Sequence, residues 1–504
     1  MYVLALELDT TPKKEKVIDK RFRAKKHVLD VMVKHAKKLL KKLKHDKEYQ
    51  NAGREYGVLK SKKKLNKNET ARRKELADIM NTRLKEIGLT DGAFKAYLKV
   101  CGKMYNHCLS SQQVQKIAVE VWSGVEAVLF GNGKDIHFTK LRDINTISGA
   151  SNTNGARFDK NALTVSWIRL TLKCKEKKDL EYMNQALKGD ISYCEIKRMM
   201  FPNGWHYYAM VVMKGDAPKK IKEIGSNKNI TGIDIGTSTV ATVSDDMTTL
   251  KELAPDIRKY NEKIKRLLTK MDASRRAMNP GKYKPDGMIN KANKDRWVYS
   301  KTYLKNENRL KSLYRRKAAY IKQSHEEMIN RLLKDSTKFV VEKMSFSGLQ
   351  KRGKKTERSD KVSEVKQKDG TVKKIKKYKK KKRFGRSLNN RAPAEFVEIL
   401  KRKAALYGGV VYEADTIKYR ASQYDHVEDK YNKPKLKERE KIIGGHKVQR
   451  DLYSAFLLKN TNDELNGPDR NKCIKDFENF LRLEDETITK MKEDGISMKQ
   501  CFGF

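Results

Sequence analysis

A chain of 504 residues, 38% hydrophobic and 35% charged, has room for about three or four modules of roughly 100 to 200 residues each and enough apolar side chains to fold them. Lys and Arg outnumber Asp and Glu by 114 to 63, a net charge of +51; such a chain repels itself unless a polyanion compensates, and nucleic acid is the partner this charge selects. The six cysteines (Cys101, Cys108, Cys174, Cys194, Cys473, Cys501) form no close CxxC pair, so neither a disulfide framework nor a zinc knuckle is visible, and no stretch reaches the roughly 18 apolar residues of a membrane span, so the expected location is cytoplasmic, at the nucleoid.

Residues 1–8 predict a strand, and from about 14 to 125 the chain reads as helix, with Lys and Arg crowding segments such as KHAKKLLKKLKHDK and KSKKKLNKNETARRKEL. From about Lys134 strand-like runs return: DIHF, ALTVSWIRLTLKC, ISYCEIKRMMF and HYYAMVVMK, with Asn203-Gly204 as a hairpin-turn signal between the last two. A β-rich module interrupted by a helical insertion explains this order. Trp205, Tyr207 and Tyr208 could stack on RNA bases, but barrel core is the better reading of aromatic residues in such a run. KKIKEIGSNKN is polar and reads as a linker.

Beyond the linker, ITGIDIGTSTVATVS predicts two apolar strands around a glycine turn. Residues 252–334 predict two long helices separated by the loop NPGKYKPDG, and Leu310, Tyr314, Ile321, Met328 and Leu332 keep helical spacing on one buried face. The buried strand KFVVEKM follows. Residues 351–386, ending in KKIKKYKKKKRFGR, cannot bury a core and read as a flexible loop or one that tracks a nucleic-acid strand. A helix (PAEFVEILKRKAALYG), a strand (GVVYEAD), a polar stretch and a helix (VQRDLYSAFLLKN) come next. The locally acidic segment from about Asn462 carries no readable role.

Three acids stand out. Asp234 sits in an apolar strand, where a carboxylate needs a partner to justify burial, either a metal ion or a neighbouring turn. Glu342 ends another apolar strand, as a catalytic group or an edge residue beside water. Asp451 opens a helix whose dipole alone would favour an acid there. Each is separated from the next by the length of a module, as acids must be when different elements of one sheet deliver them. Hydrolysis of a phosphodiester with two divalent ions about 3.5 to 4 Å apart needs such convergence. Hard carboxylate oxygens suit Mg²⁺, with Mn²⁺ as a substitute, better than any His or Cys group present.

At these residues the chain resembles a known family. GIDIGTSTVATVS is similar to the first RuvC motif of TnpB nucleases and the related type V CRISPR effectors, VVEKMSFSGL to the second and QRDLYSAF to the third; the likeness covers most of the chain beyond Ile230 and, more loosely, the part before it. The resemblance implies an α+β multidomain fold: a β-barrel wedge domain (1–12 and 126–220), interrupted by a helical recognition lobe (13–125), then an RNase H-like (RuvC) α/β nuclease domain (221–417 and 448–460) with a helical insertion. Residues 418–447 would be a degenerate target-nucleic-acid-binding insert and 461–504 a C-terminal tail. It implies an RNA-guided DNA endonuclease that binds a guide RNA, reads a short duplex motif in target DNA and cleaves with Mg²⁺ held by Asp234, Glu342 and Asp451. The sequence departs from the family twice. Where a four-cysteine ribbon is usual it carries only His426 and His446, so no zinc is expected, and Tyr453 and Ser454 replace the Asn and first Ala of the third motif. An RNA-guided DNA-binding repressor of the same architecture, an RNase H-like transposase and a basic RNA-binding protein are the alternatives.

Overall fold

The computed structural model describes residues 1–62, 64–220, 223–350, 358–366, 372–378, 384–432 and 438–496. They fall into two compact units, Met1–Pro218 and Lys219–Phe504, in a mixed α and β architecture. No helix among the described residues is long and apolar enough to cross a membrane.

The first unit opens with strand β1 (Tyr2–Asp9), whose alternation buries Leu4, Leu6 and Leu8 on one face. Five helices follow: α1 (Pro12–His45), α2 (Lys47–Ser61), α3 (Lys67–Ile87), α4 (Asp91–Cys101) and α5 (Ser111–Leu129). Their starts are written in the sequence: Thr11 caps α1 just before Pro12, and capping boxes, Asn66 with Glu69 and Ser110 with Gln113, open α3 and α5. The chain then returns to strands β2 (Thr146–Ser148), β3 (Ala156–Asp159), β4 (Thr164–Trp167) and β5 (Thr171–Cys174), helix α6 (Leu180–Leu187), and strands β6 (Ile191–Phe201) and β7 (Gly204–Met213). These seven strands make one antiparallel sheet in the order β2-β6-β7-β1-β5-β4-β3. Ile147 at one end of that order and Phe158 at the other share a core with Ile18 and Phe22 of α1.

Three local expectations change. DIHF forms no strand: Ile136 alone is buried and Phe138 faces solvent, so the run has no alternating face to lay on a partner. ALTVSWIRLTLKC is two strands, because Ile168 and Arg169 take positive φ (39° and 58°) and Trp167 and Leu170 exchange both backbone hydrogen bonds across them. That is a two-residue hairpin turn without the usual Asn or Gly. In the β6–β7 hairpin Phe201 pairs with Gly204, so the turn residues are Pro202 and Asn203, and Gly204 (φ 132°) begins the strand.

The second unit is built on strands β8 (Ser226–Ile235), β9 (Thr239–Val243) and β10 (Thr248–Glu252), helices α7 (Ile257–Met278) and α8 (Lys301–Asp335), and strand β11 (Ser336–Glu342). After helix α9 (Phe346–Gln350), the basic segment pairs β12 (Arg358–Lys366) with β13 (Val372–Tyr378) as an antiparallel hairpin rather than a structureless loop; its residues 351–357, 367–371 and 379–383 lie outside those described. Helices α10 (Gly385–Arg391) and α11 (Pro393–Leu406), strand β14 (Val410–Ala414) and helix α12 (Thr416–Tyr419) lead to two small hairpins, β15 (Tyr424–Asp425) with β16 (Lys430–Tyr431) and β17 (Glu440–Ile443) with β18 (His446–Gln449). Helices α13 (Arg450–Lys459) and α14 (Arg470–Glu493) complete the described chain.

The central sheet runs β10-β9-β8-β11-β14. β8, β11 and β14 are parallel, while β9 is antiparallel to both β8 and β10. One face packs Phe339 and Val341 against Ile329 and Leu333 of α8 and Phe396 and Leu400 of α11. The other packs Ala241, Val340 and Ala414 against Leu452, Ala455 and Phe456 of α13 and Phe480 of α14. The acidic terminal segment is therefore largely an amphipathic helix that completes this second core: Cys473, Phe480, Leu483 and Met491 are buried on it.

Candidate active site

Chain connectivity turns at β8. From it the chain runs outward through β9 and β10 on one side, then returns through α7 and α8 to β11 and β14 on the other. The carboxyl ends of two parallel strands leading away in opposite directions make a crevice where open α/β sheets bind their ligands. Asp234 and Glu342 stand at those ends. Ile233 pairs with Val341, so the next residue of each strand is one of the two acids, set side by side.

The face on which they lie follows from strand alternation. Asp234 is two residues from Gly232 and pairs with Ala241; Glu342 is two residues from Val340; Ala241 and Val340 both belong to the core under α13. At Gly232 the helix lies directly on the strand: a Cβ there would come 2.0 Å from the Ala455 carbonyl oxygen and 2.3 Å from the Lys459 nitrogen. Glycine in mid-strand is what such an approach requires. Asp451 lies one helical turn before Ala455, toward the end of the sheet that carries the other two acids.

Asp234 feels the charge of the other two acids. Burial first, then the negative charges of Asp451 and Glu342, hold the Asp234 carboxyl well above the usual range, with Arg450 and Arg439 opposing. Burial also raises Glu342, whose Oε1 accepts a hydrogen bond from the Ala421 backbone N–H at 3.3 Å. Asp451 is held differently: its carboxylate pairs with Arg450 at 3.0 Å and with Arg439 of the preceding segment at 3.5 Å. Among the described residues no set of three or more His, Cys, Asp and Glu side chains is drawn together as a ready cation cage.

The start of α13 is braced from behind. Gln449 caps it, its Oε1 accepting the Leu452 N–H at 2.7 Å, and the backbone N–H of Gln449 donates to Glu484, a carboxyl buried on α14. Burial pushes Glu484 up to about 8. Sequence reasoning passed over Arg439, Arg450, Gln449 and Glu484, since nothing in a run of charges says which of them turns inward; Gly232, a glycine inside an apolar strand, was a readable signal.

The two residues that replace the usual third-motif pair are accommodated. Tyr453 is buried with its hydroxyl 2.8 Å from His426 Nδ1, and Ser454 Oγ donates to the Arg450 carbonyl at 3.0 Å. His426 lies in an aromatic core beside Phe477, whereas His446 is exposed on β18. Of the three aromatic residues on β7, Tyr207 is core, with its hydroxyl donating to Asp19 at 3.0 Å; Trp205 lies under the Arg198 guanidinium at 4.4 Å, and Tyr208 is half-buried.

No family profile and no curated protein matches this chain. Among solved structures, a chain from a cryo-EM structure of a CRISPR-Cas12f ternary complex aligns over 91% of this chain and 99% of its own, at 13% identity with a TM-score of 0.25.

Proposed function

We propose that the protein is an RNA-guided DNA endonuclease whose hydrolytic centre is Asp234, Glu342 and Asp451. The observation that supports the reading is that Asp234 and Glu342 directly follow the paired residues Ile233 and Val341 of parallel strands in the central sheet, and that Asp234 lies within electrostatic reach of both Glu342 and Asp451. Three acids whose charges repel need compensating positive charge, and in a chain of +51 the substrate they face is a polyanion rather than a sugar or peptide. An RNase H-like reading of residues 221–417 and 448–460 accords with that sheet. Residues 1–12 and 126–220 would be the wedge and 13–125 the recognition lobe, holding guide RNA and reading target DNA by shape and backbone.

The donor set fits Mg²⁺: all three groups offer hard carboxylate oxygen, and the burial, and after it the repulsion, that raise Asp234 are what a bound cation would offset. Asp234, Glu342 and Asp451 would hold two such ions, which when bound supply activation of water and stabilisation of the departing oxygen. The chain's own part is positional. β8 and β11 fix two acids at one height, α13 would bring the third, and Arg439 and Arg450 hold the Asp451 carboxylate between them.

The test begins with expression of the full chain alongside its native flanking DNA, purification in high salt and sequencing of the RNA that accompanies it. One discrete RNA ending in a variable stretch is expected, and with it Mg²⁺-dependent cleavage of matching DNA. Asp234→Ala should abolish cleavage and keep RNA-dependent DNA binding. Heterogeneous RNA, or cleavage by the variant, overturns the assignment.

A further inference from the structure

The loop between α7 and α8, residues 279–300, is a built object at the end of a long helical hairpin. It is organised around polar groups. Asn279 is buried, its side-chain nitrogen donating to the carbonyls of Arg275 and Val298 at 2.8 Å each and its oxygen accepting the Val298 N–H at 2.8 Å. The Lys282 ammonium is also buried, donating to the backbone carbonyls of Asn293 and Asp295. Trp297 packs edge-to-face on Tyr283 at 5.9 Å, with the Arg275 guanidinium at 5.6 Å and the Lys282 ammonium at 5.4 Å from its ring. So many buried polar contacts fix a single loop conformation.

What the loop turns outward is unusual for a mere connection. Tyr299 is 39% exposed and stacked on Tyr303, ring centroids 4.6 Å apart; Val298 and Met288 are exposed at 51% and 66%. In the same loop and at the start of α8, Lys284, Lys291, Lys294, Arg296 and Lys301 are exposed, and none of the five pairs with a carboxylate among the described residues. The two acids within the loop are Asp286 and Asp295, and Asp286 is taken up locally, accepting the Met288 N–H at 2.9 Å. A solvated hairpin end needs neither exposed large apolar groups nor this bias of sign. An aromatic face set among unpaired cations is the chemistry that holds a strand of unpaired nucleotides, bases on rings and phosphates on ammonium or guanidinium groups.

We propose that the α7–α8 loop is a second nucleic-acid site, separate from the three acids, at which an unpaired base stacks on Tyr299 and the adjoining phosphates lie on Lys294, Arg296 and Lys301. Duplex satisfies the cations but cannot offer a base face to the ring, so the site selects single strands.

The test uses the full-length protein and a short oligouridylate carrying 4-thiouracil, with photo-crosslinking and peptide mapping. An adduct on Tyr299 is expected, displaced by unlabelled single-stranded RNA or DNA, the stronger competitor identifying the strand held. Tyr299→Ala should reduce crosslinking to this peptide about tenfold. The pair Lys294→Glu and Arg296→Glu should reduce it at low salt, with Tm recorded to show that each variant folds. No adduct in the loop, an adduct indifferent to these substitutions, or equal displacement by duplex overturns the proposal. The readout needs no catalysis, so it stands or falls apart from the assignment of Asp234.

Discussion

Gly232 and Ala455 meet backbone to backbone: a Cβ on the glycine would lie 2.0 Å from the alanine's carbonyl oxygen, and this contact sets the height of α13 above β8. Gly232→Ala must push the helix outward, and Asp451 with it. Overpacking of this kind costs about 1–3 kcal/mol or more. Gly409 is the control, since a Cβ there would lie 2.0 Å from the Thr337 carbonyl oxygen, at the end of β11 away from Glu342. Both alanine variants should lower Tm, but only Gly232→Ala should also lose cleavage per folded molecule. Equal cleavage by the two would mean that the height of α13 does not position Asp451.

The buried carboxyls of Asp234 and Glu342 exact a cost in stability when they ionise with no cation to compensate them. Asp234 has its folded-state pKa raised, so its contribution to stability is present below the ordinary carboxylate range and is lost as pH rises through the folded value. In EDTA at pH 8, Asp234→Asn should therefore melt above the parent by a few degrees, at roughly 2–4 °C per kcal/mol for a unit of this size. Added Mg²⁺ should raise the Tm of the parent and leave the variant where it was. A variant less stable in EDTA, or equally stabilised by Mg²⁺, would remove Asp234 from the proposed cation site.

How much of this was legible follows from which signals are local. Asp234 and Glu342 could be picked out because a lone acid in an apolar strand contradicts its surroundings, and Asp451 because it begins an apolar helix. That Ile233 would pair with Val341 was not legible, since register is a property of the assembled sheet. The hairpin at Ile168–Arg169 was hidden because neither residue is of the type that ordinarily takes positive φ. Helix α14 was hidden by composition: its acids drew attention from Cys473, Phe480 and Leu483, whose spacing of seven and three residues is helical. The pairing of Arg439 with Asp451 had no sequence signal, in a chain where basic residues are everywhere.

In the proposed site Arg439 would compete with a cation for Asp451. The pair is 3.5 Å long and the arginine is 39% exposed, so it is worth about 0.2–1 kcal/mol. Arg439→Gln should tighten the apparent Mg²⁺ affinity by up to about fivefold, read as the midpoint of a thermal-shift titration. Arg450, at 3.0 Å, continues to orient the carboxylate in the variant. A midpoint that rises instead would make Arg439 a support of the cation-ready arrangement and not a rival to it.

Glu484 links α14 to the start of α13 by accepting the Gln449 N–H, and its protonation decides the strength of that support. Buried at 3% exposure and pushed up to about 8, it is neutral near pH 7, with a carboxyl oxygen accepting the Gln449 N–H. The raised value means that the folded protein binds a proton which the unfolded chain releases above pH 4.5, so this stability is full below about 4.5 and drains away as pH climbs through 8. Glu484→Gln keeps an acceptor for the Gln449 N–H but has no charge to bury. The two proteins should melt together near pH 5 and separate progressively toward pH 9, the variant higher, with a limiting difference on the order of 5 kcal/mol. Glu484→Leu removes the acceptor, and leaving the N–H of the helix-capping residue unsatisfied should cost about 1–3 kcal/mol at low pH as well. Parallel Tm curves for the parent and Glu484→Gln across this range would show the carboxyl to be ionised in the fold, and its grip on the N-terminus of α13 to be a charged one.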